Sequence, residues 1–110
     1  MAGMLPEQAN HRTKLLHVLA RSDDWHVLNN SREYEAVARE LQIELPKGHA
    51  LSGVSVITVA RRTSNDDILL EISDGSGRIA EVHLTWRGSR QTLPFPETHI
   101  FDGVEHWQSG

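Results

Sequence analysis

The hydrophobic period of this chain changes once, at the segment Leu45–His49, and that change constrains the fold more than any other feature. Before it, the stretch 32–42 carries apolar residues at helical spacing, namely Tyr34, Val37, Ala38 and Leu41. The polar run 29–31 offers a cap for this helix. After the change, residues 54–60 are rich in β-branched side chains and favour a strand. The order of these segments predicts an α+β fold with the helices first.

The beginning of the chain is also predicted to be helical. Pro6 suits the first turn of a helix that ends near Ala20, since proline is favoured at that position. Ser22 has the character of a helix cap, so we expect a short second element there that buries Trp25 and Leu28.

The second half is predicted to form strands at residues 54–60, 68–73 and 78–86, with a short fourth strand at 98–101. The spacing of Asp102 and Glu105 matches a capping box, which predicts a short C-terminal helical turn carrying Trp107. Only one face of these strands is strongly apolar. We therefore expect N-terminal helices packed on one face of a three- to four-stranded antiparallel meander.

The register of the hairpin between the second and third strands follows from its turn. A three-residue loop, Gly75–Gly77, gives glycine the left-handed position that such loops need. The resulting pairs are Ile72 with Ala80, Leu70 with Val82, and Ile68 with Leu84. On the other face this register places Glu71 opposite Glu81, with His83 two residues further along.

Glu71, Glu81 and His83 therefore form a candidate polar-face cluster. Two carboxylates about 5 Å apart raise the pKa of one of them, and a nearby imidazole can share a proton or a metal ion. The alternative is a solvated face on which Arg61 or Arg62 neutralises the acids. We favour that alternative, because like charges across a strand pair are tolerated when a counter-charge is near.

Familiar catalytic and cofactor patterns are absent from the sequence. It has no nucleophile elbow, no Walker-type loop and no dinucleotide fingerprint, so we predict no catalytic residue and no cofactor. The seven histidines do not show the short spacings of metal ligands, so we predict no metal site. His83, His99 and His106 would meet only if the C-terminal segment folded over the sheet.

Composition narrows the class of partner. A chain of 110 residues is the size of one domain, with residues 1–5 the candidate for a disordered terminus. A net charge of −4 argues against binding to nucleic acid or to anionic membranes. The lack of cysteine suits a reducing compartment, and no signal peptide or membrane-length apolar run is present. We expect a soluble cytoplasmic protein, whose oligomeric state is not readable from these features.

The aromatic residues of the C-terminal quarter suggest both a core and a binding surface. Trp86 and Trp107 are predicted to belong to the core. Phe95, Pro94 and Pro96 are the candidate partner-binding residues. Phe95, held between the two prolines, is the candidate anchor for another protein, because aromatic side chains that fill a pocket dominate binding energy.

Four motifs resemble a group of small bacterial proteins of about this length whose activity is uncharacterised. The motifs are Ser31–Tyr34, Leu45–His49, Asp74–Arg78 and Val82–Trp86. This resemblance implies no catalytic residue. The general build, acidic and small with a sheet and a few helices, is similar to that of many immunity proteins of bacterial toxin systems.

Three functional hypotheses follow. The first is a non-catalytic protein-binding module of the immunity or accessory type. The second is a small enzyme or metal-binding sensor that uses Glu71, Glu81 and His83. The third is a small-molecule binding domain that uses the open face of the sheet. We favour the first, because the catalytic motifs are missing and the chain is acidic.

Overall fold

The computed structural model describes residues 6–109. Residues 1–5, for which the sequence predicted disorder, lie outside the described residues. The helices are α1 (Pro6–Leu19), α2 (Ser31–Glu44) and α3 (Val104–Ser109). The strands are β1 (Trp25–Val27), β2 (Val56–Arg62), β3 (Ile68–Ile72), β4 (Ile79–Val82) and β5 (Thr98–Phe101).

The strands form one sheet in the order β1-β2-β3-β4-β5, with each strand antiparallel to its neighbours. The predicted α+β class and antiparallel meander are confirmed. The sheet has five strands rather than three or four, because the short element after Ser22 is β1 and not a helix. Trp25 of β1 pairs with Arg62 of β2 and is buried, as is Leu28 beyond the strand. The Ser22 hydroxyl still accepts a hydrogen bond from the N–H of Asp24, but within a turn.

The helix over 32–42 is confirmed as the central part of α2. Its cap is Asn30, whose side-chain oxygen accepts hydrogen bonds from the N–H groups of Arg32 and Glu33. This satisfies donors that the first helical turn leaves without a partner. The helix buries Val37 and Leu41 against the sheet.

Helices cover both faces of the sheet, so the prediction that they share one face is wrong. On one face Val37 and Leu41 of α2 join a buried cluster with alternate residues of the central strands, namely Ile68, Leu70, Ile72, Ala80 and Val82. On the other face α1 and α3 pack on the remaining positions, in a cluster of Leu15, Leu19, Trp25, Val59, Leu69, Ile79 and Val104. Every residue of β3 is therefore buried.

The β3–β4 register also differs from the prediction, by two residues. Leu70 pairs with Ala80, and Ile68 with Val82. The N–H of Ile72 donates to the carbonyl of Arg78, so the loop runs over residues 73–77 rather than 75–77. Because a two-residue shift preserves the alternation of faces, the predicted face of each side chain survives although its partner changes.

Side chains within the loop explain its length. The carboxylate of Asp74 accepts a hydrogen bond from the N–H of Ser76 and pairs with Arg78. Hydrogen bonds from Ser76 and Arg78 lower the pKa of Asp74 to about 2. Gly77 has a φ of +85°, and a Cβ there would lie 2.8 Å from the His11 ring of α1. Glycine is thus required at this position for two reasons, the positive φ and the lack of space for a Cβ atom.

Both tryptophans predicted for the core do pack against it. Trp86 lies beyond the end of β4, with a φ of +61°, and contacts the cluster on the α2 face. Trp107 of α3 contacts the cluster on the α1 face and meets Trp25 edge to face, with 6.0 Å between ring centroids.

The two-faced core gives a direct test by substitution. Leu69→Ala, on the α1 face, and Leu70→Ala, on the α2 face, should each lower the free energy of unfolding by about 2–5 kcal/mol, because both side chains are fully buried. Leu93→Ala, at an exposed position, should cost about 0.5 kcal/mol. Urea denaturation of the three variants measures these losses. A small loss for Leu69→Ala alone would contradict the core beneath α1.

Candidate functional site

The structure does not bring the predicted cluster of Glu71, Glu81 and His83 together as one site. All three lie on the α1 side of the sheet, but Glu71 pairs with Ile79 and Glu81 with Leu69. The two carboxylates are therefore not opposite each other, and the pairing that motivated the enzyme or metal-sensor hypothesis is absent. Glu81 and His83 line one cleft, whereas Glu71 is buried away from it, and the side chains of the three residues bind different partners.

Glu71 is a buried carboxylate that fixes α1 to the sheet. It accepts hydrogen bonds of 2.6 Å from the amide of Gln8 and from Nε of Arg12. The amide oxygen of Gln8 in turn accepts the N–H of Gly75 in the β3–β4 loop. Because a buried charge needs an opposite charge and hydrogen-bond donors, these contacts account for Glu71 as a structural group.

Glu81 links the opposite end of the same face. One carboxylate oxygen accepts a 2.9 Å hydrogen bond from Arg62, and the other accepts the indole N–H of Trp107. Arg62 also pairs with Asp24 and lies 4.5 Å from the ring centre of Trp25.

The expectation that Arg61 or Arg62 neutralises the acids holds for Glu81, through Arg62. The expected solvated face is wrong for Glu71, which is 1% exposed and pairs with Arg12 of α1.

His83 lies at an exposed cleft of about 260 Å³. The cleft is lined by Asn65, Asp67, Glu81, His83, Glu97 and His99. Nδ1 of His83 lies 2.5 Å from the Asp67 carboxylate, and Nε2 of His99 lies 3.3 Å from Glu97. His106 is bonded elsewhere, to the N–H of Asp102. Within residues 6–109, no three His, Asp or Glu side chains are arranged to hold a metal ion.

The Arg12–Glu71 pair should show strong energetic coupling. Glu71→Leu should lower the free energy of unfolding by about 3 kcal/mol, because it leaves the Arg12 charge without its buried partner. The double variant with Arg12→Leu should cost clearly less than the sum of the two single variants. Chemical denaturation of the four proteins gives the coupling energy.

The exposed pair Lys14–Glu105 provides the control for that cycle. Both of its side chains face solvent, so its coupling should stay below about 1 kcal/mol. Additive losses at Arg12 and Glu71 would show that the buried contact contributes nothing to stability.

Two acidic residues of α2 were missed as structural groups by the sequence reasoning. Glu44 is fully buried and accepts hydrogen bonds from the N–H groups of Thr85 and Trp86, at 2.9 and 2.8 Å. Glu40 accepts the N–H of Gly88 at 2.9 Å. The burial of Glu44 could have been inferred from its position, because it lies three residues after Leu41 on the apolar side of the helix.

Burial raises the pKa of Glu44 above its ordinary 4.5, and a hydrogen bond with Glu40 raises it further. The N–H groups of Thr85 and Trp86 act in the opposite direction, because they stabilise the charged form. The net effect of these contacts is a raised pKa for Glu44. The folded chain thus holds a proton on Glu44 at a pH where the unfolded chain has released it.

This pKa predicts a specific pH dependence of stability. Because the folded value exceeds the unfolded one, the contribution of Glu44 is greatest below pH 4.5 and is lost as the pH rises through the folded value. Glu44→Gln should remove that part of the profile, since glutamine stays neutral. Melting temperatures from about pH 4 to about pH 7 measure the difference. Glu35→Gln, at an exposed position of α2, is the control and should leave the profile unchanged. A profile unaltered by Glu44→Gln would contradict a raised pKa.

The predicted partner-binding residues divide into two kinds. Phe95 is 52% exposed and Pro94 is exposed, as expected of an anchor. Pro96 is fully buried, so its side chain does not belong to a binding surface. Its carbonyl accepts a 2.9 Å hydrogen bond from Nε2 of His49, whose Nδ1 accepts the N–H of Leu51. These two bonds define the tautomer of His49 and fasten the connection that displays Phe95.

Two further large apolar side chains are exposed in the segment of Phe95 and on the strand that follows it. Leu93 is 51% exposed, and Ile100 of β5 is 38% exposed. Leu93 and Ile100 both line a groove of about 400 Å³, together with Ala50 and with Pro94, the residue before Phe95. We call Leu93, Phe95 and Ile100 the apolar patch.

The apolar patch adjoins an open sheet edge. Strand β5 pairs with β4 on one side, and no strand within residues 6–109 pairs with its other side. The N–H of His83 donates to the carbonyl of Glu97, so Glu97, His99 and Phe101 direct their backbone groups toward β4. By alternation, Thr98 and Ile100 direct theirs outward.

Comparison with known proteins adds no further assignment. No protein-family model matches the chain, and neither the curated proteins nor the solved structures contain a match. Among residues 6–109 no helix is both long enough and apolar enough to cross a bilayer.

Proposed function

We propose that this chain is a non-catalytic protein-binding module that pairs the outer edge of β5 with an extended segment of a partner protein. The observation that carries the proposal is the apolar patch beside an unpaired strand edge. Main-chain hydrogen bonds to such an edge supply affinity, and pockets for alternate side chains supply specificity.

The edge offers a short but complete docking strip. Thr98 and Ile100 each present one N–H and one carbonyl to an incoming strand. On the α2 side of the sheet, the groove beside Leu93 accepts an apolar side chain of that strand. Phe95 then covers the contact, since an exposed aromatic ring gains most when a partner buries it.

The occupant is a strand of a different protein rather than a second copy of this chain. β5 is only four residues long, and Pro94 and Pro96 precede it. Two copies of β5 would share only four residues each, whereas a longer partner strand can pair with β5 and also reach the groove beside it. A partner strand with large apolar residues at alternate positions fits the groove better than another β5, which has only Ile100 on that face.

Capture followed by a binding measurement tests this proposal. The tagged protein is used to isolate partners from the source cells, and each recovered partner is purified for calorimetry. Phe95→Ala should weaken binding by at least about ten-fold, because a central aromatic anchor dominates such contacts. Ile100→Lys should abolish binding, because a charge on the edge opposes strand addition.

The matched control is Tyr34→Lys, which places the same charge at another exposed apolar residue, on α2. It should leave the affinity unchanged. Light scattering of the purified protein reports the oligomeric state, and a dimer lost in Ile100→Lys would mean that the occupant is a second copy. A partner whose affinity is equal in all variants would contradict the proposed surface. Inhibition of a captured enzyme would identify an immunity-type module, and a non-enzymatic partner an accessory one.

A further inference from the structure

Strand β5 separates two clefts of different chemical character. On the α2 side of the sheet lies the groove of about 400 Å³, which Thr98 and Ile100 line. On the α1 side lies the cleft of about 260 Å³, which Glu97 and His99 line. Because successive residues of a strand face opposite sides of the sheet, this short strand and the residue before it border both clefts.

The register of the sheet supports this division. His99 pairs with Glu81, which in turn pairs with Leu69 of the α1-side core. Ile100 pairs with Ala80, which belongs to the α2-side core. Residues that pair across antiparallel strands have their side chains on the same face. The side chains of His99 and Ile100 therefore lie on opposite sides of the sheet.

The cleft on the α1 side is rich in carboxylates, and we call it the acidic cleft. Its lining residues are Asn65, Asp67, Glu81, His83, Glu97 and His99. Of its three carboxylates, Glu81 pairs with an arginine, Arg62. Within residues 6–109, the ion pairs of Asp67 and Glu97 are formed with imidazoles alone. Because an imidazole is charged only when it is protonated, these two carboxylates have no permanently charged partner.

A strand added to the outer edge of β5 brings its own side chains beside both clefts. Neighbouring strands lie about 4.8 Å apart, and the side chains of the added strand alternate between the two sides of the sheet. Lysine and arginine carry their charge on long, flexible stems. A basic residue on the α1 side of the added strand therefore comes beside Glu97, whose side chain is 62% exposed.

We propose that the partner segment is an amphipathic strand in which lysine or arginine alternates with apolar residues. Its basic side chains lie at the acidic cleft, and its apolar side chains lie in the groove beside Leu93. This inference rests on the proposed pairing with β5 and adds the charge of the partner to it. One exposed ion pair contributes little, so the preference comes from several charges together and from the repulsion of acidic segments.

Three synthetic peptides of about seven residues, an ordinary strand length, test the inference. In each peptide valine alternates with a second residue, which is lysine, serine or glutamate, and both termini are blocked. Each is titrated into the isotope-labelled full chain at about pH 8, where free imidazole is neutral. The lysine peptide should cause saturable changes in the NMR signals of residues 97–101. It should bind at least about ten-fold more tightly than the glutamate peptide, with the serine peptide between them.

A fourth peptide tests the alternation itself. It has the composition of the lysine peptide, but its valines and lysines form two separate blocks. It should bind at least about five-fold more weakly than the alternating peptide, because it cannot place all its apolar residues on one side of the sheet and all its charges on the other. Equal binding of these two peptides would show that net charge alone decides, and would overturn the inference.

Ile100→Lys separates a failure of this inference from a failure of strand pairing. Equal affinity for the lysine, serine and glutamate peptides, abolished by Ile100→Lys, would overturn the basic character of the partner and leave pairing at β5 intact. Binding of the lysine peptide that is equal in Ile100→Lys and in the control Tyr34→Lys would contradict pairing at β5 itself. Binding of none of the peptides would overturn the inference, whereas the captured partner decides the proposed function separately.

Glu97→Gln tests the contact at the acidic cleft. The lysine peptide should bind about three-fold more weakly to this variant, because one exposed ion pair is lost, and the serine peptide should bind as it does to the parent protein. Glu35→Gln removes the same charge from an exposed position of α2, so this matched control should change neither affinity. A lysine-peptide affinity that is unchanged in Glu97→Gln, or that falls equally in Glu35→Gln, would overturn the assigned contact.

Discussion

The burial of β3 on both faces is the constraint on which the rest of the structure depends. Its residues alternate between a face that requires α2 and a face that requires α1, so neither helix is dispensable. The strand also places one carboxylate, Glu71, in the α1-side core. A buried charge is tolerated only with donors at hand, and Arg12 and Gln8 supply them from α1. Apolar packing and charge neutralisation thus hold the same helix in the same place.

Carboxylates connect elements elsewhere in this fold as well. Glu81 joins β4 to β2 and α3, and Glu44 joins α2 to the segment after β4. Each receives donors from a part of the chain distant in sequence. Such contacts add modest net stability, but a buried donor or acceptor left without a partner lowers the free energy of unfolding by a larger amount. They therefore favour one arrangement of the helices over its alternatives.

Local pattern was sufficient for α2, for the fold class and for the exposure of Phe95. Local pattern failed where contacts between residues distant in sequence determine the register or the burial of a side chain. The two registers of the β3–β4 hairpin differ by two residues and share one pattern of faces, so the choice rests on Gln8 and on the loop around Asp74. Glu71 and Glu81 suggested a solvated face because their partners lie far away in sequence.

The connection between β4 and β5 is shaped by side chains rather than by the sheet. Glu40 and Glu44 hold its first part, and His49 holds its last part at the carbonyl of Pro96. The residues displayed between these anchors, Leu93 and Phe95 among them, contribute little to the core. Substitutions at the displayed positions therefore carry a small folding penalty. Descendants of this chain can acquire new binding preferences by changing those side chains while the anchors, and with them the fold, are inherited intact.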